Sequence, residues 1–389
     1  MRRVPYWLAP ALAALVLILA GCESPRAALD AIAHQWNVLL FIAGLMGLSA
    51  AAQCGGVYQW IADVLLQHAR GSSRRLFVLL FAAGALVTLV LSNDATAIGF
   101  APIVYRSIGA RAGNDPRPYL FASIFVANAA SFGLPFSNPA NVLILPHPDP
   151  AAYLRELGVP QILALALNLA LLLFFFRREL RARCEFAQAG PPGRRCLRTI
   201  VVLLCAGLAY VAALWAGWPL GPVAVAGAAV ALLASRSDPR EAAGAFSWGI
   251  FGLLAALFVL MDAVTRAGLG ALLSRALDAA AAHGALAAQS AAAAGAAALS
   301  NVFNNLPIAV AASYLVAHGS SQRLAYALIA GVDVGPNLLA SGSLATILWL
   351  AVLRRYGLRM SPWEYARIGA VLVPATLGVC VLWLVTGGR

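Results

Sequence analysis

Four short polar stretches interrupt a chain that is otherwise apolar, and they hold the groups able to do chemistry. Ser92-Asn93-Asp94, with Thr96 close behind, ends one apolar run. Ser300-Asn301-Val302-Phe303-Asn304-Asn305 ends another. Gly133 to Leu145 (GLPFSNPANVLIL) carries Ser137, Asn138 and Asn141, and Val332 to Trp349 (VDVGPNLLASGSLATILW) carries Asp333, Asn337, Ser341, Ser343 and Thr346. Hydroxyls and amides donate and accept hydrogen bonds without charge, which suits a small oxygen-rich solute. No arginine lies among them, which argues against a multiply charged anion. The candidate substrate-binding side chains are therefore Ser92, Asn93, Thr96, Ser137, Asn138, Asn141, Asn304, Asn305, Asn337, Ser341, Ser343 and Thr346. Two carboxylates, Asp94 and Asp333, are the candidates for proton coupling, because a carboxyl group at membrane depth is costly unless it is functional or paired. Each also has a plainer reading as a helix cap, Asp94 at the first tip and Asp333 beside Gly335-Pro336. The hydroxyls of Thr96 and Thr346 have one too, a bond to their own helix.

Other chemistry is poorly supplied. The six cysteines (Cys22, Cys54, Cys184, Cys196, Cys205, Cys380) form no CxxC pair and read as small apolar fillers. The five histidines never fall four residues apart, so neither a metal site nor a cofactor is expected. The chain has no lysine, hence no Walker A phosphate loop; the motive force is an ion gradient or a separate subunit. A lipoprotein signal ending at Cys22 is the lesser reading of the amino-terminal segment, which has an internal counterpart.

The elements that position these groups must lie in lipid. The 389 residues are 62% hydrophobic and 11% charged, against about 25% charged in a soluble domain. That composition excludes a cytosolic enzyme, a disulfide-built secreted domain and a disordered chain. The formal charge of +12 comes from 27 arginines; in a membrane protein these set orientation and need no nucleic-acid partner.

Apolar segments run at 6–21, 36–53, 76–91, 95–108, 119–146, 159–176, 198–217, 220–235, 247–262, 285–299, 303–318, 324–353 and 366–386. A helix over 76–91 is only ~24 Å long against a ~30 Å hydrocarbon core. It and 285–299 end in polar tips before apolar sequence resumes, the pattern of a re-entrant helical hairpin. The segments 119–146 and 324–353 carry Gly, Pro, Ser and Asn at mid-length and read as discontinuous helices, tolerated where protein or a wet cavity covers the freed backbone.

These features recur. Ser24-Pro25-Arg26 and Trp36 answer Asp238-Pro239-Arg240 and Trp248, and Gly56 answers Gly268. The tip Asn93-Asp94 answers Asn304-Asn305, and Ser137-Asn138-Pro139 answers Ser341-Gly342-Ser343. The expected fold is an all-α polytopic membrane protein of two inverted repeats, each with a re-entrant hairpin and a discontinuous transmembrane helix. The halves are 1–178 and 198–389, joined by an Arg-rich cytoplasmic linker at 179–197. With the amino terminus inside and both hairpins re-entrant, 21 arginines are cytoplasmic and 6 outside, as the positive-inside rule requires; the carboxyl terminus is then outside. The segment 198–217 has no partner, so the first half reads as one helix short at its amino end.

SNDATAIGFAPIVY (Ser92 to Tyr105), NAASFGLPFSNPANVLIL (Asn128 to Leu145), SNVFNNLPIAV (Ser300 to Val310) and GVDVGPNLLASGSLATILWL (Gly331 to Leu350) together resemble the arsenite efflux permease (ArsB-type) family of the ion transporter superfamily. The resemblance runs from about Trp36 onward. It implies export of arsenite and antimonite across the bacterial inner membrane, by proton antiport alone or with a soluble arsenite-stimulated ATPase subunit, in a lipid-embedded protein that is a candidate homodimer. The same superfamily holds sodium-coupled carboxylate and sulfate importers, which typically show Ser-Asn-Thr at both tips. The tips here read Ser-Asn-Asp and Ser-Asn-Val, a departure that favours a titrating carboxylate over sodium. The alternative is a sodium- or proton-coupled transporter of a small organic or inorganic anion.

Overall fold

The computed structural model describes residues 7–100, 104, 115–181, 190–246, 248–317 and 321–387. Residues 182–189 of the linker and the second arm of the first hairpin beyond Phe100, apart from Val104, lie outside the described residues. The protein is an all-α, multi-pass membrane protein. It opens with α1 (Leu8–Leu19), α2 (Pro25–His34), α3 (Trp36–Cys54), α4 (Val57–Ala69) and α5 (Ser73–Val90). After the first tip come α6 (Asn93–Ala95), a π-turn over Thr96–Phe100, α7 (Arg117–Ala129), α8 (Pro139–Ile144) and α9 (Pro150–Phe175). A single helix, α10 (Arg194–Trp215), follows.

The same order then repeats. It runs through α11 (Leu220–Ala234), α12 (Pro239–Ala245), α13 (Gly249–Val264), α14 (Gly270–Ala281), α15 (Ala285–Phe303), α16 (Asn305–Ala317), α17 (Gln322–Val334), α18 (Leu344–Arg355) and α19 (Pro362–Thr386). Thus α10, the expected unmatched segment, stands alone between two equivalent series.

Local chemistry explains the correspondence. Ser24 caps α2 by accepting the Ala27 N–H at 3.1 Å, and Asp238 caps α12 by accepting the Arg240 N–H at 2.7 Å. Proline follows at the first helical position in both, where its missing N–H costs nothing. Gly56 and Gly268 both take positive φ, 75° and 103°, and each lets the chain leave a spanning helix for an amphipathic one, α4 and α14.

Contacts are exchanged between the series. Helix α1 packs on α13 while its counterpart α11 packs on α3; α2 packs on α13 while α12 packs on α3. The last helices of the two series, α9 and α19, pack together, joined by Asn168 Nδ2 donating to Thr376 Oγ1 at 2.9 Å.

Two expectations shift. The hairpin arms are longer than their apolar runs: α5 has 18 residues and α15 has 19. Ser73-Arg74-Arg75 start the first arm ahead of its apolar run, and Ser300 to Phe303 extend the second. The segment 159–176 begins at Pro150, because Asp149 caps it through the Ala151 N–H at 3.0 Å, and the helix runs through Pro160.

Candidate functional site

The two hairpin tips and the two helix breaks meet at one place. A small cavity of about 10 Å³ is lined by Asn93 and Asp94 of the first tip, Asn138 and Pro139 of the first break, Asn305 and Leu306 of the second tip and Ala345 of the second break, with Ile42 of α3 and Ile250 of α13 as walls. That is room for one water at most. A second cavity of about 30 Å³ shares Ile42, Asp94, Pro139 and Ile250 and extends along α3 past Leu45, Met46 and Ser49 to Gln53. Ser92 also lines it.

The lining residues of the first cavity come from the opening turns of α6, α8, α16 and α18. Free N–H groups and partial positive charge concentrate at helix starts. Three of the starts are capped from the sequence-predicted set. Ser92 Oγ accepts the Ala95 N–H at 3.2 Å, Asn138 Oδ1 the Ala140 N–H at 3.0 Å, and Ser343 Oγ the Thr346 N–H at 3.1 Å. The fourth is tied across: the Asn305 N–H donates to Gly342 O at 2.9 Å, joining the second tip to the second break. Asn304, just before it, is bent to φ 77°.

The capping alternatives for the carboxylates do not hold. Ser92, not Asp94, caps the first tip. Asp94 is half-buried, lines both cavities, and its carboxylate has no hydrogen bond or ion pair among the described residues. Asp333 sits in the last turn of α17 with 1% exposure and faces the other repeat. Asn138 Nδ2 reaches its Oδ1 at 2.6 Å and Ser131 Oγ lies 2.8 Å from its Oδ2.

The other predicted residues divide into lining and bracing groups. Ser92, Asn93, Asn138 and Asn305 line the cavities. The Oδ1 atoms of Asn304 and Asn305 are buried without a partner among the described residues. Thr96 turns away to Thr88 (Oγ1 to Oγ1 2.8 Å), Ser137 donates to Leu89 O at 3.4 Å and Ser341 to Asn301 O at 3.2 Å. Asn141 donates to Ser131 O (2.8 Å) and Leu134 O (3.2 Å), bracing the first break. Asn337 donates to Phe125 O at 3.0 Å, and Thr346 Oγ1 meets Ser343 Oγ at 2.9 Å.

Sequence reading passed over Asn128, Ser131 and Asn301. Asn128 Nδ2 donates to Asn337 Oδ1 at 2.9 Å. Asn301 donates to Gly335 O at 2.8 Å and accepts the Leu339 N–H at 2.8 Å, closing the second break over itself. The signal for the first two was present: Asn128 and Ser131 are polar residues in an apolar helix, just ahead of the Gly133 at which the break was placed.

Comparison with known proteins agrees with this architecture. Residues 1–331 match the profile of a family described as citrate transporter (CitMHS). An arsenical pump membrane protein of Yersinia enterocolitica is 27% identical over 373 residues, covering 88% of this chain and 85% of its own. One from Escherichia coli is 25% identical over 368 residues, with the same two shares. An uncharacterized transporter of Mycobacterium tuberculosis is 26% identical over 369 residues, 90% of this chain and 86% of its own. Among solved structures, the YdaH transporter of Alcanivorax borkumensis superposes with a TM-score of 0.54 at 16% identity, covering 96% of this chain and 88% of that one. At that identity the likeness concerns the fold.

Proposed function

The chain belongs to the citrate transporter (CitMHS) family, a family of membrane transporters and not of enzymes, and from that premise we propose that it exports arsenite and antimonite across the bacterial inner membrane by proton antiport. The observation that carries the reading is Asp94: an unpaired carboxylate, among the described residues, at the junction of both tips and both breaks and beside the amides of Asn93, Asn138 and Asn305. Arsenite is an uncharged triol at neutral pH. Its hydroxyls match amide donors and acceptors, and its lack of charge matches a junction lined by no arginine. The names of the arsenical-pump relatives support the same solute.

In this reading Asp94 exchanges one proton per cycle, and the hairpin-bearing units rock or slide to expose it to either side. The cavity, which has room for one water at most, widens to admit solute. The repeat halves 1–178 and 198–389, the cytoplasmic linker 179–197, a cytoplasmic amino terminus and an external carboxyl terminus belong to the proposal. So does a homodimer; recruitment of a soluble ATPase is the alternative to antiport alone.

The test is arsenite accumulation in everted membrane vesicles under an imposed pH gradient. Accumulation that collapses with the gradient supports antiport, and a sodium requirement or no arsenite movement rejects it. The second reading, a sodium- or proton-coupled carrier of a small anion, is favoured by the family's description. It predicts citrate- or carboxylate-dependent currents in the same vesicles.

A further inference from the structure

The two broken helices clasp each other by reciprocal bonds. Asn128 lies ten residues before Asn138, the cap of α8, and Asp333 lies ten residues before Ser343, the cap of α18. Each reaches the cap of the opposite repeat. Asn138 Nδ2 donates to Asp333 Oδ1 at 2.6 Å, and Ser343 Oγ donates to Asn128 Oδ1 at 3.5 Å. Each also turns a second atom to a neighbour. Asn128 Nδ2 donates to Asn337 Oδ1 at 2.9 Å, while Asp333 Oδ2 lies 2.8 Å from Ser131 Oγ. All these side chains are buried, none more than 2% exposed.

The two contacts of Ser131 bear on where the hydrogen is. Its Oγ stands 2.8 Å from Asp333 Oδ2 and 2.9 Å from the carbonyl of Asn128. A hydroxyl has one hydrogen to give, and an ionised Asp333 would leave two acceptors competing for it. Both contacts become hydrogen bonds when Ser131 donates to Asn128 O and Asp333 carries a proton on Oδ2 that it donates to Ser131. Asp333, which the Asn141 amide also approaches, then offers an acceptor to the opposite cap and a donor to its neighbour, the same pattern that the amide of Asn128 offers in the other repeat. Among the described residues no arginine or histidine forms an ion pair with Asp333. Tyr153 of α9 and Tyr365 of α19, on helices packed against α17, donate their hydroxyls to Phe132 O (2.9 Å) and Pro336 O (3.1 Å). Glu156 and Arg155 lie near Tyr326, seven residues and ~10 Å of helix from Asp333.

We propose that Asp333 is a positioning residue, held as a neutral acid, that locks the two breaks together, and that the proton exchanged during transport is not its own. The second half of this statement rests on the antiport reading above; the first does not.

Asp333→Asn keeps one acceptor and one donor in place, whereas Asp333→Ala removes both. Infrared spectra of the purified protein at neutral pH should show a protonated-carboxyl C=O band that is lost in Asp333→Asn. That variant should unfold at the wild-type temperature, and Asp333→Ala well below it. In everted vesicles Asp333→Asn should retain pH-driven arsenite transport to within about threefold, with the wild-type pH profile, and Asp333→Ala should lose about tenfold or more. A carboxyl band identical in wild type and Asp333→Asn overturns the neutral clasp. Uncoupled transport by Asp333→Asn overturns the assignment of the exchanged proton elsewhere. If the wild type moves no arsenite, the antiport reading fails on its own, and the spectra and unfolding temperatures still decide the clasp.

Discussion

Asp94 and Asp333 were indistinguishable as sequence. Both are acids in polar interruptions of apolar runs, and both had a capping alternative. Packing separates them: the second is held by Asn138 and Ser131, the first faces the cavities without a bond among the described residues. Asp94→Asn keeps the shape and removes the titrating group, so it should abolish pH-driven arsenite accumulation while leaving the unfolding temperature near wild type. Persistence of proton-coupled transport in this variant rules Asp94 out as the carrier. Which of the predicted side chains line the cavities was legible only in part. Ser137 and Asn141 bond to backbone and Thr96 to the Thr88 hydroxyl, and no sequence pattern tells a bracing hydroxyl from a lining one. Asn304 adds a backbone test. Its φ of 77° with ψ of 155° is a conformation that glycine adopts freely and that costs other residues roughly 1–3 kcal/mol. Asn304→Gly should therefore raise stability toward unfolding in detergent by about 1 kcal/mol. A lower stability would mean that the Asn304 side chain, which reaches Ser341 O at 3.4 Å, outweighs the strain.

At the scale of elements, the broken helices were readable because Gly, Pro, Ser and Asn do not cluster inside an uninterrupted transmembrane helix. Helices α4 and α14 were missed because they are amphipathic and give no continuous apolar run. The second hairpin is built on close backbone approach. A Cβ on Gly331 of α17 would collide with Ala293 O of α15 and lie 2.9 Å from Ala296 Cβ, and one on Gly335 would lie 2.5 Å from Ala297 Cα. Small residues serve helix packing in lipid, where there is little hydrophobic drive between helices. Gly331→Val should force α15 and α17 apart at a cost of about 1–3 kcal/mol or more, read as a lowered unfolding temperature and loss of transport. Wild-type stability in that variant would show that the hairpin tolerates a wider seam.

Across the whole molecule, the repeat was legible because its landmarks are chemical: Ser-Pro against Asp-Pro, glycine against glycine, tip against tip. The exchange of partners, α1 on α13 and α11 on α3, was not, since sequence order alone does not say which copy a helix packs on. Arg266, beside the Gly268 bend, ties the copies together by pairing with Asp262 of its own series and with the buried Glu23 of the other at 3.0 Å. Arg266→Ala leaves Glu23 buried without its cation and should lower the unfolding temperature. Adding Glu23→Gln should recover most of the loss, and no recovery would mean the pair is incidental. Orientation has its own test: alkaline phosphatase fused after Arg389 should be active, because the enzyme matures only outside the cytoplasm.

The lone helix α10 governs more than its own packing. Each series crosses the bilayer an even number of times when its hairpin turns back, so it starts and finishes on one face, and two such series joined by a loop would stand the same way up. A single additional crossing changes the parity, and the second series must begin from the opposite face. Deleting α10 would leave every landmark of both copies intact in the sequence and still dismantle the junction, since two copies of like handedness to the membrane could not bring their helix starts face to face.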